Sequence, residues 1–373
     1  MIEMTPSHWF VTIVFFLMGL FLCSLFSAAE RGSYYAKGEK KYNKNGKVIY
    51  FVIYVILILF VMLQKPGWGM EPYLDIFKGI SSYEGGESLF SIGGLYSEEM
   101  EPFFMLWVST MRNITDNQGV FLFFTFSYIW FSVLYFSSTF YKKHSFAITF
   151  MAVWPALIDF IFGMRYAMAV ATCLLAMVMF KKHRYILGII LSIVAGFTHF
   201  LALCFILFIA CYFILTSIFK EKIHSSKVLL LMSAGSITFM TLGYSLFSTF
   251  RFAYRMTDTI ETNSFLSYAP MVFFALVIHF YSRTQNMDTG DKLCSLSSYF
   301  NMVMLPVTAM WGVYRIPYLF LLPITVELNN VMSNNRHCRY SNIAIVTIVL
   351  IFSFIKIITM GIQNHSLDYT FIF

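Results

Sequence analysis

Residues 118–140 read QGVFLFFTFSYIWFSVLYFSSTF, an apolar and aromatic run without one charged side chain. About 20 such residues suffice for a helix to cross the hydrocarbon of a bilayer. Outward from it, similar runs recur at 9–29, 48–63, 145–163, 164–180, 185–197, 199–218, 228–247, 266–282, 295–311, 315–332 and 341–360. Several are shorter than a full crossing, and 185–218 reads as two spans or as one broken hairpin. The expectation is an all-α, polytopic integral membrane protein of about 12 transmembrane helices, within a range of roughly 10–13. Composition leads to the same place: of 373 residues 58% are hydrophobic and 12% charged, and the mean hydropathy is +0.70. Soluble domains carry about a quarter charged residues. A chain this apolar cannot cover itself with polar surface, whereas lipid accepts the apolar face of every helix.

The loops orient the spans. Alternate loops hold Arg31, Lys37, Lys40, Lys41, Lys44 and Lys47; then Lys142 and Lys143; Lys181, Lys182 and Arg184; Lys220, Lys222 and Lys227; Arg283 and Lys292; and Arg336 and Arg339. These are 18 of the 26 basic residues, all on one side, which the positive-inside rule makes cytoplasmic. Both termini are then expected outside. The N-terminal run ends in Ser27-Ala28-Ala29 but lacks a basic n-region and carries Glu3, so it reads as an uncleaved first span entering from outside. The net charge of +7 follows from the cytoplasmic loops, and no basic stripe with interleaved aromatics suggests nucleic acid.

Aromatic residues make up 19% of the chain. Lipid-facing bulk and interfacial belts explain most of them; an aromatic-lined saccharide or lipid groove is the sharper alternative. Cys23, Cys173, Cys204, Cys211, Cys294 and Cys338 show no CxxC spacing, so neither disulfides nor a metal site is expected.

The outer side is organised differently. Residues 64–117 form the longest stretch outside the membrane, rich in Gly and Pro and carrying Glu71, Asp75, Glu84, Glu87, Glu98, Glu99 and Glu101. Structureless loops beyond about 12–15 residues are usually functional or disordered. Pro102 to Met111 is apolar enough to lie on the membrane surface as an amphipathic helix. A second outer loop, 248–265, holds Arg251, Arg255, Asp258 and Glu261. The inverted repeats of many transporters are not evident.

Walker, GxSxG, HExxH and Rossmann signatures are absent, which argues against a nucleotide-driven or soluble-type enzyme. What remains is a set of polar residues at outer helix ends. Arg165 opens the descending run Tyr166 to Phe180, with Asp159 six residues before it. Intramembrane ionisable residues are functional hypotheses by default, so Arg165 reads either as half of a structural pair with Asp159 or as a phosphate ligand. His199, in Gly196-Phe197-Thr198-His199-Phe200, starts another descending span. It reads as a packing residue or as a proton-transfer group, since imidazole titrates near neutral pH. Arg315, in Trp311-Gly312-Val313-Tyr314-Arg315, repeats the placement at a third helix. Arg251 and Arg255 share a face if helical. Arg112 reads as a headgroup-snorkelling cation and His279 as structural. Descending helices present free N–H groups and the positive dipole end outward. Several arginines at that depth would clamp a diphosphate, and a polyprenyl diphosphate keeps its headgroup there and its tail in lipid.

On these residues the chain resembles the EpsG-like branch of the bacterial Wzy O-antigen and exopolysaccharide polymerases. The anchors are Glu101-Pro102-Phe103, the segment from Phe162 to Ala169, the Lys181-Lys182 turn, Gly196 to His199, and Tyr314-Arg315. The resemblance places Arg165, His199 and Arg315 on polar motif positions. Where such proteins show Gly-x-Asp followed by Tyr, this chain has Gly69-Met70-Glu71-Pro72-Tyr73. The resemblance implies a membrane-embedded, GT-C-like glycosyltransferase of the inner membrane, working without metal or other cofactor at the periplasmic face. Donor and acceptor would be undecaprenyl-diphosphate-linked glycans, with the bilayer and a chain-length regulator protein as further partners. Arg165, Arg315, Arg255 and Arg251 would hold the diphosphate. His199, or one of the carboxylates Glu101 and Asp159, would activate the acceptor hydroxyl. Two rivals stand beside this reading: an O-antigen ligase-like enzyme using the same donor, and a transporter such as a flippase. A ligase mutant would accumulate long lipid-linked polymer, whereas a polymerase mutant would stop at one repeat.

Overall fold

The computed structural model describes residues 6–36, 39–63, 70–80, 101–142, 148–156, 163–219, 232–234, 269–282, 288–310, 316–334 and 339–363. These residues are almost entirely helical. Among them, six helices are long and apolar enough to cross a membrane: Thr12–Arg31, Lys44–Met62, Gln118–Phe140, Met164–Lys181, Phe200–Ile218 and Tyr340–Ile358. Tyr185–Thr198 and Pro270–Tyr281 are apolar but shorter. The chain is thus a multi-pass helical membrane protein. The run expected at 228–247 falls almost wholly outside the described residues, and 145–163 is described only in part.

The chain divides into two compact units, Met1–Leu203 with Ile343–Phe373, and Cys204–Asn342. In the first, α1 (Pro6–Arg31) leads through a short hairpin, β1 (Ser33–Ala36) and β2 (Glu39–Tyr42), into α2 (Lys44–Met62). Asn43 caps α2 by accepting from the Gly46 N–H. After α3 (Glu71–Gly79) and α4 (Pro102–Ile114) comes α5 (Gln118–Phe140), where Asn117 accepts from the Gly119 and Val120 N–H groups. A 3-10 turn, Ile148–Ala152, precedes α6 (Met164–Lys181) and α7 (Tyr185–Thr198).

Helix α6 is the core of this unit. Its Ala167, Ala169, Ala171 and Ala176 are buried, and small side chains let neighbouring helices approach closely within a membrane. It packs on α5 in parallel: Tyr128 bonds Thr172, Lys181 donates to the Thr139 carbonyl, and Lys182 donates to the Tyr135 hydroxyl. Between them in sequence, the chain climbs along α1. Tyr141 and Phe150 pack on Phe26, whereas Trp154 stacks on Phe15 and donates to its carbonyl. Gly19 makes room for this, because a Cβ there would lie 2.5 Å from the Trp154 ring.

The basic residues of the unit gather at one end, where the loop has structure of its own. Residues 33–36 and 39–42 pair as antiparallel strands, and the Lys40 side chain is buried. It meets the fully buried Glu30 and the Tyr141 carbonyl, while the Tyr42 and Tyr50 hydroxyls donate to Glu30 at 2.7 Å. Burial pulls the Lys40 ammonium below its ordinary range, against the opposing influence of Glu30. Tyr42 is pushed up, by burial first and then by the Glu30 charge.

The second unit contains α8 (Leu203–Phe219), which begins at its edge, α9 (Ala269–Ser282), α10 (Thr289–Met310) and α11 (Ile316–Asn334). Phe208, Phe300 and Phe320 form an aromatic cluster. Helices α10 and α11 meet along a buried polar seam in which Ser295 donates to Glu327 at 2.9 Å. His279, expected to be structural, bonds the Tyr299 hydroxyl at 2.6 Å. A last helix, α12 (Arg339–Gln363), returns to the first unit, where Ser353 donates to the Met151 carbonyl.

Candidate functional site

At the end of the first unit away from the basic residues, three helix termini meet around one carboxylate. Glu101 immediately precedes Pro102, the first residue of α4. Proline is preorganised for that position, and the residue before it is held extended; Glu101 has φ −72° and ψ 140°. Its side chain does not cap its own helix. It reaches instead to Arg165, whose Nη1 donates to Oε2 at 2.6 Å, and to the Phe200 N–H, which donates to Oε1 at 3.2 Å.

Arg165 lies in the first turn of α6, where the helix dipole disfavours a cation. A carboxylate on the guanidinium offsets that cost. The two side chains retain 15% and 12% of their exposure, so the pair is sheltered yet reachable. The Tyr73 ring lies beneath the guanidinium, 5.9 Å from its centroid, and packs edge-on against Phe104 at 5.5 Å. Thus α3 also contributes to the site.

His199 ends α7 in an extended conformation and starts the 3-10 turn Phe200–Ala202. Its Nδ1 accepts from the Leu201 N–H at 3.2 Å, and its ring packs edge-on against Tyr166 at 5.5 Å. With Nδ1 held as an acceptor, a neutral imidazole carries its proton on Nε2. Glu101 and Arg165 each contribute one formal charge and cancel. Each Glu101 oxygen accepts one of these bonds, and a carboxylate oxygen has two lone pairs. The arrangement can therefore accept a hydroxyl hydrogen at Glu101.

Of the residues singled out in the sequence, Glu101, Arg165 and His199 come together. Asp159, Arg251, Arg255 and Arg315 lie outside the described residues. The partner described for Arg165 is Glu101, 64 positions away in sequence, whereas the sequence had offered Asp159. Arg112, read in the sequence as a headgroup cation, has protein partners as well. It pairs with Asp116 at 2.6 Å, donates to the Ile80 carbonyl and lies over Phe77, which fastens α3 to α4. Two residues escaped notice. Tyr73 was legible only as the aromatic end of Gly69-Met70-Glu71-Pro72-Tyr73. Glu327 was legible as the lone acid in the apolar run 316–334, a signal that intramembrane charges generally provide.

The family model for the EpsG family matches residues 47–372. The chain belongs to the EpsG family. That match takes in all three clustered residues as well as Tyr73. No curated protein and no solved structure matches this EpsG-family chain, so its site rests on its own geometry. Among the described residues, no three His, Cys, Asp or Glu side chains gather as metal ligands.

Proposed function

We propose that this EpsG-family protein polymerises lipid-linked oligosaccharide repeat units at the periplasmic face of the bacterial inner membrane, for O-antigen or exopolysaccharide. In this reading the sugar C1–O bond to undecaprenyl diphosphate breaks, and C1 bonds to a hydroxyl of the next lipid-linked unit. Family membership supports the reaction class. The observation that carries the assignment is the Glu101–Arg165 pair beside His199, at the helix ends opposite the basic residues.

Glu101 takes the acceptor hydroxyl's proton, oriented by Arg165 and by the Phe200 N–H. Asp159 is the second carboxylate assigned to that role. His199 donates from Nε2 toward the departing diphosphate. Arg165, Arg315, Arg255 and Arg251 supply the fixed positive charge that stabilises the diphosphate as it leaves, without a metal. Because Glu101 already neutralises Arg165, this reading gives the other three arginines the larger share of the diphosphate charge.

Purified protein incubated with lipid-linked repeat units, without metal or nucleotide sugar, is expected to yield a glycan ladder. Glu101→Gln and His199→Ala proteins of normal abundance are expected to stop at one repeat. A full ladder from both variants would remove these residues from the mechanism, and no ladder from the wild type would remove the reaction.

A further inference from the structure

The other end of α6 carries a second arrangement, separate from the site above. Lys182, His183 and Arg184 form the turn into α7, and all three are exposed. Two are fixed in place: Lys182 donates to the Tyr135 hydroxyl at 2.7 Å, and His183 Nδ1 bonds the Tyr185 hydroxyl at 2.9 Å. Arg184 has no ion partner among the described residues. Beneath the turn lies a groove of about 490 Å³ lined by His183, Arg184, Tyr185, Ile186, Leu187 and Ile190. It is shallow and its lining is almost wholly apolar, with the Arg184 cation among the residues that border it.

Helix length adds a second argument. α7 has 14 residues, so it rises about 21 Å, well short of the roughly 30 Å hydrocarbon core. Ile186, Ile189, Ile190 and Ile193 are exposed along it. A bilayer thins or bends its headgroups toward so short a helix, which brings phosphates closer to its ends, the turn being one of them. An acidic headgroup matches the charges there, and acyl chains match the isoleucine face.

We infer that the Lys182–Arg184 turn and the groove below it bind one glycerophospholipid with an acidic headgroup, its acyl chains lying along α7. The phosphate sits between Arg184 and Lys182, and His183 faces the headgroup from a backbone φ of 58°. That left-handed conformation is one glycine adopts without cost, so His183→Gly removes the imidazole while easing the backbone.

The test places the whole protein in nanodiscs of mixed phosphatidylglycerol and phosphatidylcholine, and counts lipids retained after mild detergent extraction by native mass spectrometry. Wild type is expected to retain one phosphatidylglycerol at least fivefold over phosphatidylcholine. Arg184→Gln and His183→Gly are each expected to cut that preference at least threefold without lowering the melting temperature. Lys44→Ala with Lys47→Ala, which removes two exposed cations from the start of α2, is expected to leave it intact. Equal loss in this control would show diffuse surface attraction and overturn the inference. Undiminished preference in both turn variants, no preference in wild type, or displacement of the lipid by millimolar inorganic phosphate would overturn it as well.

Discussion

The Glu101 carboxylate accepts from Arg165 with one oxygen and from the Phe200 N–H with the other, so shortening it and neutralising it have different consequences. Glu101→Gln keeps an acceptor and the side-chain volume; its loss should fall on turnover. Glu101→Ala leaves Arg165 sheltered without this partner at a helix start. Removing one member of a buried pair costs about 3–5 kcal/mol, and partial exposure lowers the figure here. Its melting temperature in detergent should therefore fall below that of Glu101→Gln. Tyr73 is tested by geometry. Tyr73→Phe keeps the ring under the guanidinium but removes the hydroxyl that hydrogen-bonds Arg165, whereas Tyr73→Leu also removes a cation–π contact worth about 0.5–2 kcal/mol. Ladder formation should weaken in the first and weaken further in the second.

At the scale of elements, the Gln118–Phe140 helix was legible to the residue, because an uncharged apolar run between Asn117 and a basic segment has one reading in lipid. The hairpin at 33–42 was not. Its sequence shows lysines and tyrosines that look solvated, and only the fold reveals that Lys40 turns inward to Glu30. Glu30→Ala should lower stability by about 3–5 kcal/mol by stranding the Lys40 ammonium. Glu30→Gln, which keeps an acceptor for Tyr42 and Tyr50, should cost less; thermal melts compare the two. Helix α7 offers a packing test. A Cβ at Gly188 would lie 2.7 Å from the Phe180 ring, which is fully buried and has nowhere to go. Gly188→Leu should cost at least the roughly 1–3 kcal/mol typical of overpacking, seen as lower abundance and melting temperature.

For the molecule as a whole, hydropathy and loop charge carry the membrane assignment, since both are sums over many residues and tolerate local error. The candidate site is a matter of single contacts. Arg165 and His199 stood out because polar groups at helix ends are few in an apolar chain. That they meet through Glu101 depends on how α4 lies across α6 and α7, which no local pattern encodes. The parallel course of α5 and α6 has one more consequence, which is a matter of parity. Two neighbours that point the same way require the chain between them to pass back across, and Trp154 on Phe15 marks that return under way. The number of crossings from the end of α5 to the end of α6 is therefore even. A reporter fused after Lys142 and one fused after Lys182 should face the same compartment, and a signal from opposite compartments would mean that α5 and α6 cross the membrane in opposite directions.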